Sequence, residues 1–115
     1  VLNSRILVLG ITFKEDCPDI RNSKVVDLIY ALRVFNTVVD VYDPLVNLEE
    51  VRREYGIDCL DCLPVKAKYS AVVVAVGHKE FKEIGIEEIR AFCKPSSVLY
   101  DIQSIFPKVA TDGRL

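Results

Sequence analysis

The chain has 115 residues, of which 50% are hydrophobic and 28% are charged, a balance that suits one globular domain and excludes intrinsic disorder. Its 15 basic and 17 acidic residues give a formal net charge of −2, and no basic stripe stands out. Nucleic-acid-binding domains usually carry a basic face, so no nucleic-acid partner is predicted. The longest apolar run, residues 71–76, is far too short to cross a bilayer, and no signal peptide opens the chain. No membrane partner is expected.

The elements follow from apolar runs, helical spacings and turn residues. In chain order they are a strand at 5–10, a helix at 23–35, a strand at 37–42, a helix at 48–55, an edge strand at 57–60, a short helix at 64–69, a strand at 71–76, a helix at 86–93 and a strand at 97–101. In the first helix the spacing places Phe35 on the inner face, and Ser23 or Asn22 is expected to cap the first turn.

Strands that alternate with helices predict right-handed βαβ units. The fold class expected is a three-layer α/β/α domain, with a mainly parallel sheet of about five strands covered on both faces, over residues 1–115. The chain contains no methionine and both ends look cut, so we expect a domain excised from a longer protein. Ligands of such sheets bind beyond the carboxyl ends of the strands, here after Gly10, Tyr42, Val76 and Tyr100.

The four cysteines are predicted to be ordinary reduced thiols of a cytosolic protein. Cys59 and Cys62 form a CxxC motif, but a zinc site needs two further ligands at suitable spacing, and the chain has one histidine. A redox CxxC usually opens a helix after a strand, whereas this one lies in a weakly patterned region. No metal site is predicted.

The connection after the first strand, at 10–23, is about twice the usual length of roughly two to six residues for α/β units. Long loops at the carboxyl edge of a sheet tend to be functional. The loop contains neither GxGxxG nor GxxxxGK[ST], so it is not expected to cradle a pyrophosphate through backbone amides alone.

The side chains of this loop favour an anionic ligand. Lys14 is a flexible point charge suited to phosphate, and Arg21 is a planar fork suited to bidentate recognition. Phe13 offers an apolar face to a base or sugar, and Asp16 and Asp19 are placed to orient the two cations. The alternative from the residues alone is a solvated loop with two internal ion pairs.

The string G-I-T-F-K-E-D-C-P-D-I-R-N-S at 10–23, followed by V-Y-D-P at 41–44, resembles the C-terminal domain of the UDP-glucose/GDP-mannose dehydrogenase family. The family pattern is close to G-x-x-F-K-x-x-x-x-D-x-R-x-S with a downstream Y-D-P, and the resemblance extends from about residue 5 to 114. Ile11-Thr12 and Y-D-I-Q-S at 100–104 look more like the branch acting on UDP-N-acetylhexosamines and their uronates.

The resemblance implies a Rossmann-like fold and one part of an NAD-dependent enzyme that oxidises the C6 alcohol of a UDP-sugar to a carboxylate in two steps, through a cysteine thioester. The partners implied are an N-terminal NAD-binding domain and a central dimerisation domain, in a cytoplasmic homodimer or larger assembly that makes precursors of surface polysaccharides. The nucleophilic cysteine lies in an earlier part of such enzymes. No catalytic residue is therefore expected here, and the fragment alone is predicted to be inactive.

By the same resemblance, Phe13 and Lys14 are expected to contact the UDP-sugar, with Lys14 near the phosphates, and Arg21 to reach NAD. In the UDP-glucose branch the last strand runs into D-G-R, whose arginine contacts substrate. Gln103 stands at that place by strand position, whereas a literal D-G-R occurs about ten residues later. Gln103 is the favoured substrate contact, and Arg114 is the alternative.

Other candidates have structural interpretations. Asp43 ends a strand where a ribose-binding acid can lie, but Tyr-Asp-Pro resembles a structural turn of this family. His78 lacks an evident nucleophile or carboxylate neighbour in the sequence and is expected to be structural or to orient a loop. Cys17 occupies a variable loop position. A receiver-type signalling domain is disfavoured because Gly77 and His78 follow the third strand, without a phosphoacceptor. A stand-alone nucleotide-binding or assembly module remains the alternative.

Overall fold

The computed structural model describes residues 4–35, 37–107 and 111–114. For residues 113 and 114 it describes the backbone only. Five strands and four helices occur in that part of the chain. In chain order they are β1 (Arg5–Leu9), α1 (Val25–Val34), β2 (Val38–Tyr42), α2 (Leu48–Tyr55), β3 (Tyr69–Val74), α3 (Lys79–Ile84), α4 (Ile86–Arg90), β4 (Cys93–Asp101) and β5 (Gly113–Arg114).

The strands form one sheet in the order β2-β1-β3-β4-β5, and every pairing between them is parallel. The chain leaves β1 towards β2 on one side and later returns to place β3 on the other side. The order therefore reverses between β1 and β3. In open α/β sheets, a crevice forms at such a switch point, beyond the carboxyl ends of the two strands.

Both faces of the sheet carry an apolar core, as expected for a parallel sheet. On one face Ile6 and Val8 of β1 pack with Ile29 of α1 and Val51 of α2. Adjacent residues of β1 point to the opposite face, where the cluster contains Leu7, Leu9, Phe81, Ile89 and Leu99. The predicted three-layer α/β/α fold with a mainly parallel sheet is confirmed.

Several boundaries differ from the prediction in the second half. Residues 64–68 form no helix and instead lead into β3, which begins at Tyr69, because the ring of Tyr69 is fully buried in the core. Residues 57–60 contribute a single bridge, between Tyr42 and Leu60, and no strand. The helix expected at 86–93 ends at Arg90, because Cys93 already pairs with Tyr69 as the start of β4.

The helices predicted from the sequence do not include α3, and the predictions for both ends of α1 are wrong. Helix α3 buries a single side chain, Phe81, which is too little for a periodic signal. Phe35 was expected inside but follows the last helical residue and is 67% exposed. The predicted side-chain cap is also wrong: α1 is capped at Lys24 without a side-chain hydrogen bond, and the buried Ser23 hydroxyl has no hydrogen-bond partner among the described residues.

Candidate functional site

The long loop, defined here as residues 10–24, leaves β1 through a glycine that no other residue can replace without strain. Gly10 has φ +97°, and a Cβ built on it would lie 2.6 Å from the Cβ of Val76. Its amide donates to the carbonyl of Tyr42 at 2.8 Å. The loop therefore starts in close contact with both neighbouring strand ends, at the switch point of the sheet.

A cleft of about 350 Å³, called here the central cleft, opens at this switch point. Residues that follow β1, β3 and β4 all line it, although they are far apart in sequence. They are Thr12, Phe13, Lys14, Glu15, Asn22, Lys24, Val25, Ala75, Val76 and Gln103. The three residues expected to contact the UDP-sugar, Phe13, Lys14 and Gln103, thus lie around one cleft.

The central cleft combines an exposed aromatic ring with cations. The Phe13 side chain is 54% exposed, which is unusual for a phenylalanine at the rim of a well-packed sheet. Lys14 and Lys24 are both exposed and supply two positive charges, against one negative charge from Glu15. Gln103 is fixed over the end of β3, since its Nε2 donates to the carbonyl of Ala75 at 3.2 Å. This arrangement can bind an anionic ligand that also has a flat or apolar part.

A larger cleft of about 640 Å³, the lateral cleft, lies between the second half of the long loop and α2. Its lining comprises Cys17, Pro18, Asp19, Ile20, Arg21, Leu45, Asn47, Glu50, Arg53 and Glu54. The Tyr55 hydroxyl donates to the carbonyl of Ile20 at 2.5 Å and ties the loop to α2 on this side.

Arg21, expected to reach NAD, lies in the lateral cleft and not in the central one. Its Nε and a terminal nitrogen each donate to Asp19 at 3.0 Å, so the guanidinium has a fixed direction although its side chain is 84% exposed. The hydrogen bond to Asp19 raises the pKa of Arg21, and the same bond lowers the pKa of Asp19. The expected pairing of Asp19 with Arg21 is therefore present, but Asp16 is not paired with Lys14.

Asp43 is 3% exposed and serves as a backbone acceptor. Its Oδ2 accepts the amides of Ile11 and Thr12 at 2.8 and 3.3 Å, and its Oδ1 accepts the amide of Leu45 at 2.9 Å. His78, fully buried, lies 2.9 Å from the same Oδ2. Both carboxylate oxygens are thus engaged inside the protein, as a structural turn requires, and neither faces a ligand.

Sequence reasoning missed several lining residues of the central cleft, chiefly Lys24 and Asn22. Lys24 immediately precedes α1 and lines the cleft. The signal in the sequence was Asn22, two residues before Lys24, because asparagine tolerates positive φ. In the structure Asn22 adopts φ +60° and so turns the chain before α1. The side chain of Arg114 is not among the described parts of the chain. The backbone of Arg114, in β5, pairs with that of Asp101, in β4.

The cysteines show no constellation for metal or redox chemistry. All four are free thiols, and Cys59 is mostly buried, which raises its pKa to about 12. Cys17 lines the lateral cleft. Among the described residues no group of three or more potential ligands could hold a metal ion. Nor does any helix in the described ranges have the length and apolar character needed to span a membrane.

The sequence matches a known protein family and several of its members. The sequence profile of the UDP-glucose/GDP-mannose dehydrogenase family, UDP binding domain, matches residues 7–108. The chain is 48% identical to a UDP-N-acetyl-D-glucosamine 6-dehydrogenase of Salmonella typhi, over all of this chain and 27% of that protein. It is 44% identical to the enzyme of the same name from Pseudomonas aeruginosa, over 97% of this chain and 26% of that protein.

Among solved structures, a UDP-D-ManNAc dehydrogenase from Pyrococcus horikoshii matches with a TM-score of 0.73 and 27% identity, over 97% of this chain and 25% of that chain. The chain spans about a quarter of the length of the relatives it matches. The profile match covers most of the sequence, including the long loop and the strand ends that surround both clefts. The chain therefore belongs to the UDP-glucose/GDP-mannose dehydrogenase family, of which it contains the UDP binding domain.

Proposed function

We propose that the chain is the C-terminal UDP-sugar-binding domain of a longer, cytoplasmic, NAD-dependent UDP-sugar 6-dehydrogenase that makes precursors of surface polysaccharides. The observation that carries the proposal is the central cleft, where Phe13, Lys14 and Gln103 come together at the switch point of the sheet. The relatives at 48% and 44% identity favour a UDP-N-acetylhexosamine as substrate.

Four residues of the central cleft have roles in this proposal. Lys14, with Lys24 as a second cation, binds the diphosphate, because compact ammonium groups neutralise phosphate charge without a fixed geometry. Phe13 covers an apolar face of the base or sugar, which accounts for its exposure in the free domain. Gln103, held by the carbonyl of Ala75, presents the rest of its amide to the substrate.

Arg21 is proposed to contact an NAD that is bound mainly by the N-terminal domain. When bound, NAD supplies the hydride acceptor for oxidation of the sugar. The lateral cleft fits a peripheral contact and not a complete dinucleotide site: it has no glycine-rich turn, and the carboxylates of Glu50 and Glu54 line it together with Arg21 and Arg53. Asp19 holds the Arg21 guanidinium ready for one phosphate or ribose group.

The remaining parts of the enzyme belong to the same proposal. An N-terminal NAD-binding domain and a central dimerisation domain complete the site, and the full-length enzyme is a homodimer or larger. The catalytic cysteine lies in those parts, so the isolated domain is inactive. Cys59, whose pKa is raised by burial, is unsuited to a nucleophilic role.

The test is steady-state kinetics of the full-length enzyme, measured as NAD reduction with UDP-N-acetylglucosamine and with UDP-glucose. Lys14→Ala removes one charge-assisted contact and should raise the KM for the UDP-sugar roughly tenfold to a hundredfold. Lys66→Ala is the matched control, because Lys66 is exposed, pairs with Glu88 and lines neither cleft.

Arg21→Ala should instead raise the KM for NAD, with Arg52→Ala as its control, since Arg52 pairs with Asp58 away from both clefts. If Lys14→Ala and Arg21→Ala change the kinetics no more than their controls do, the assigned roles are wrong. A full-length protein that binds UDP but oxidises no UDP-sugar would support the nucleotide-binding module instead.

A further inference from the structure

A buried histidine links the long loop to the rest of the sheet edge. His78 follows β3 and precedes α3, and none of its surface is exposed. It lines neither cleft, so it is not placed to touch a ligand. All of its polar ring atoms nevertheless have partners, and two of the three partners belong to the long loop.

The hydrogen bonds define one tautomer of the ring. The amide of Asp16 donates to Nδ1 at 2.9 Å, so Nδ1 carries no proton and Nε2 carries it. Nε2 lies 2.9 Å from Oδ2 of Asp43 and 3.1 Å from Oγ1 of Thr12. The Thr12 hydroxyl donates to the carbonyl of Lys14 at 3.1 Å, so its oxygen can accept and shares the single Nε2 proton of His78 with the nearer Oδ2 of Asp43.

Asp16 makes two hydrogen bonds in opposite directions with the segment at His78 and Lys79. While the Asp16 amide donates to His78, its Oδ1 accepts the amide of Lys79 at 2.7 Å. Asp16 also adopts φ +57°, a conformation that costs most residues about 1–2 kcal/mol but is tolerated by Asp and Asn. The loop is thus held on both sides of Lys14: at Thr12 before it and at Asp16 after it.

We propose that His78 is a positioning residue for substrate binding: with Asp16 it forms a clamp that fixes the segment carrying Phe13 and Lys14 over the central cleft. The inference rests on the proposed function, in which Lys14 binds the diphosphate. A cation on a loop held at both ends loses little freedom when a ligand arrives, so the clamp raises affinity through preorganisation.

A merely structural histidine predicts a different result, because its replacement would lower stability without changing the affinity of folded molecules. Four variants of the full-length enzyme separate these cases. His78→Asn retains an acceptor near the position of Nδ1, and His78→Gln retains a donor near the position of Nε2. Asp16→Ala breaks the clamp from the exposed side, where folding is least at risk, and Asp16→Asn keeps both the acceptor and the tolerance for positive φ.

The experiment measures kcat and KM for UDP-N-acetylglucosamine, with Glu83→Gln as a control on an exposed position of α3. We expect Asp16→Ala and both His78 variants to raise the KM for the UDP-sugar roughly tenfold or more while kcat changes less, since the lost binding is shared by ground and transition states. Asp16→Asn should recover most of the wild-type KM. Unchanged KM in folded Asp16→Ala would overturn the proposal.

Amide hydrogen exchange tests the clamp without any substrate. In the wild-type protein the amides of Thr12 and Asp16 should be protected, and Asp16→Ala should lower the protection of both. Equal exchange in the two proteins would refute the clamp whatever the enzyme does. If exchange changes as expected but the wild-type enzyme oxidises no UDP-sugar, the proposed function fails and, with it, the role assigned to His78 in substrate binding.

Discussion

Asp43 should be one of the most sensitive polar positions of the domain, although it touches no ligand. It is buried at the carboxyl end of β2 and accepts three backbone amides, from Ile11, Thr12 and Leu45. His78 adds a fourth donor at 2.9 Å. A carboxylate can satisfy all four because both of its oxygens accept. Asp43→Asn is nearly isosteric but replaces one accepting oxygen with a donating amide.

The expected cost follows from those four bonds. With the amide oxygen in the place of Oδ2, the new NH2 group faces the amide of Leu45, so that bond is lost and two donors oppose each other. The other three bonds become neutral. Bonds to charged acceptors contribute about 1.5–3 kcal/mol and neutral ones about 0.5–1.5 kcal/mol, so the lost bond and the three weakened bonds together lower the free energy of unfolding by about 4.5–7.5 kcal/mol.

Urea unfolding of the 115-residue chain measures this loss, and the midpoint should fall by at least about 1.5 M. Asp58→Asn is the matched control, because Asp58 makes one bond, to Arg52, and its side chain is 74% exposed. That exposed pair should contribute little to stability, because water screens the attraction between its charges. If Asp43→Asn destabilises the chain no more than Asp58→Asn, the buried carboxylate does not organise the start of the long loop as argued.

Three further predictions follow from local geometry. Gly10→Ala should lower the free energy of unfolding by more than about 2 kcal/mol in urea titrations, because the positive φ and the contact with Val76 are both penalised. Cys59 should react far more slowly than the exposed Cys62 with a thiol reagent at pH 8, since its pKa is about 12; equal rates would contradict its burial. A hydrogen bond from the backbone amide of Leu99 lowers the pKa of Asp112 in the folded chain. The resulting stabilisation is present above the unfolded pKa of Asp112 and is lost as the pH falls through its folded pKa. The free energy of unfolding of Asp112→Asn should therefore depend less on pH than that of the wild type between about pH 5 and 2.

The first half of the fold was predictable because its signals are local and strong. Strand β1 is buried on both faces and is a continuous apolar run. Helix α2 is capped before its first residue by Asn47, whose side chain accepts the amide of Glu50, and after its last residue by Gly56, which has φ +66°. The second half has weaker local signals. Helix α3 buries only Phe81, and the segment before β3 is fixed by the tertiary burial of Tyr69, so sequence periodicity could not define either one.

The candidate site also has features that the local sequence indicates and features that only the folded structure reveals. Phe13, Lys14 and Arg21 were predicted as site residues because they belong to a spaced motif, and Gln103 because of its place after a strand. The place of Lys24 and the contacts that His78 makes with the loop could not be predicted, because they depend on how the loop folds back. The sequence placed both cations on one loop, but it could not indicate that they line different clefts.

The length of the long loop is explained by that separation. The amide of Phe13 donates to the carbonyl of Asp19 at 2.7 Å, so the chain returns close to its starting point before it reaches Arg21. Residues before this closure place Lys14 at the central cleft, and residues after it place Arg21 beside α2. A connection of the usual two to six residues could reach only one of these places. We infer that the length, the buried acceptor at Asp43 and the clamp at His78 together keep two cationic side chains apart on a single loop, one proposed to contact the UDP-sugar and one proposed to contact NAD.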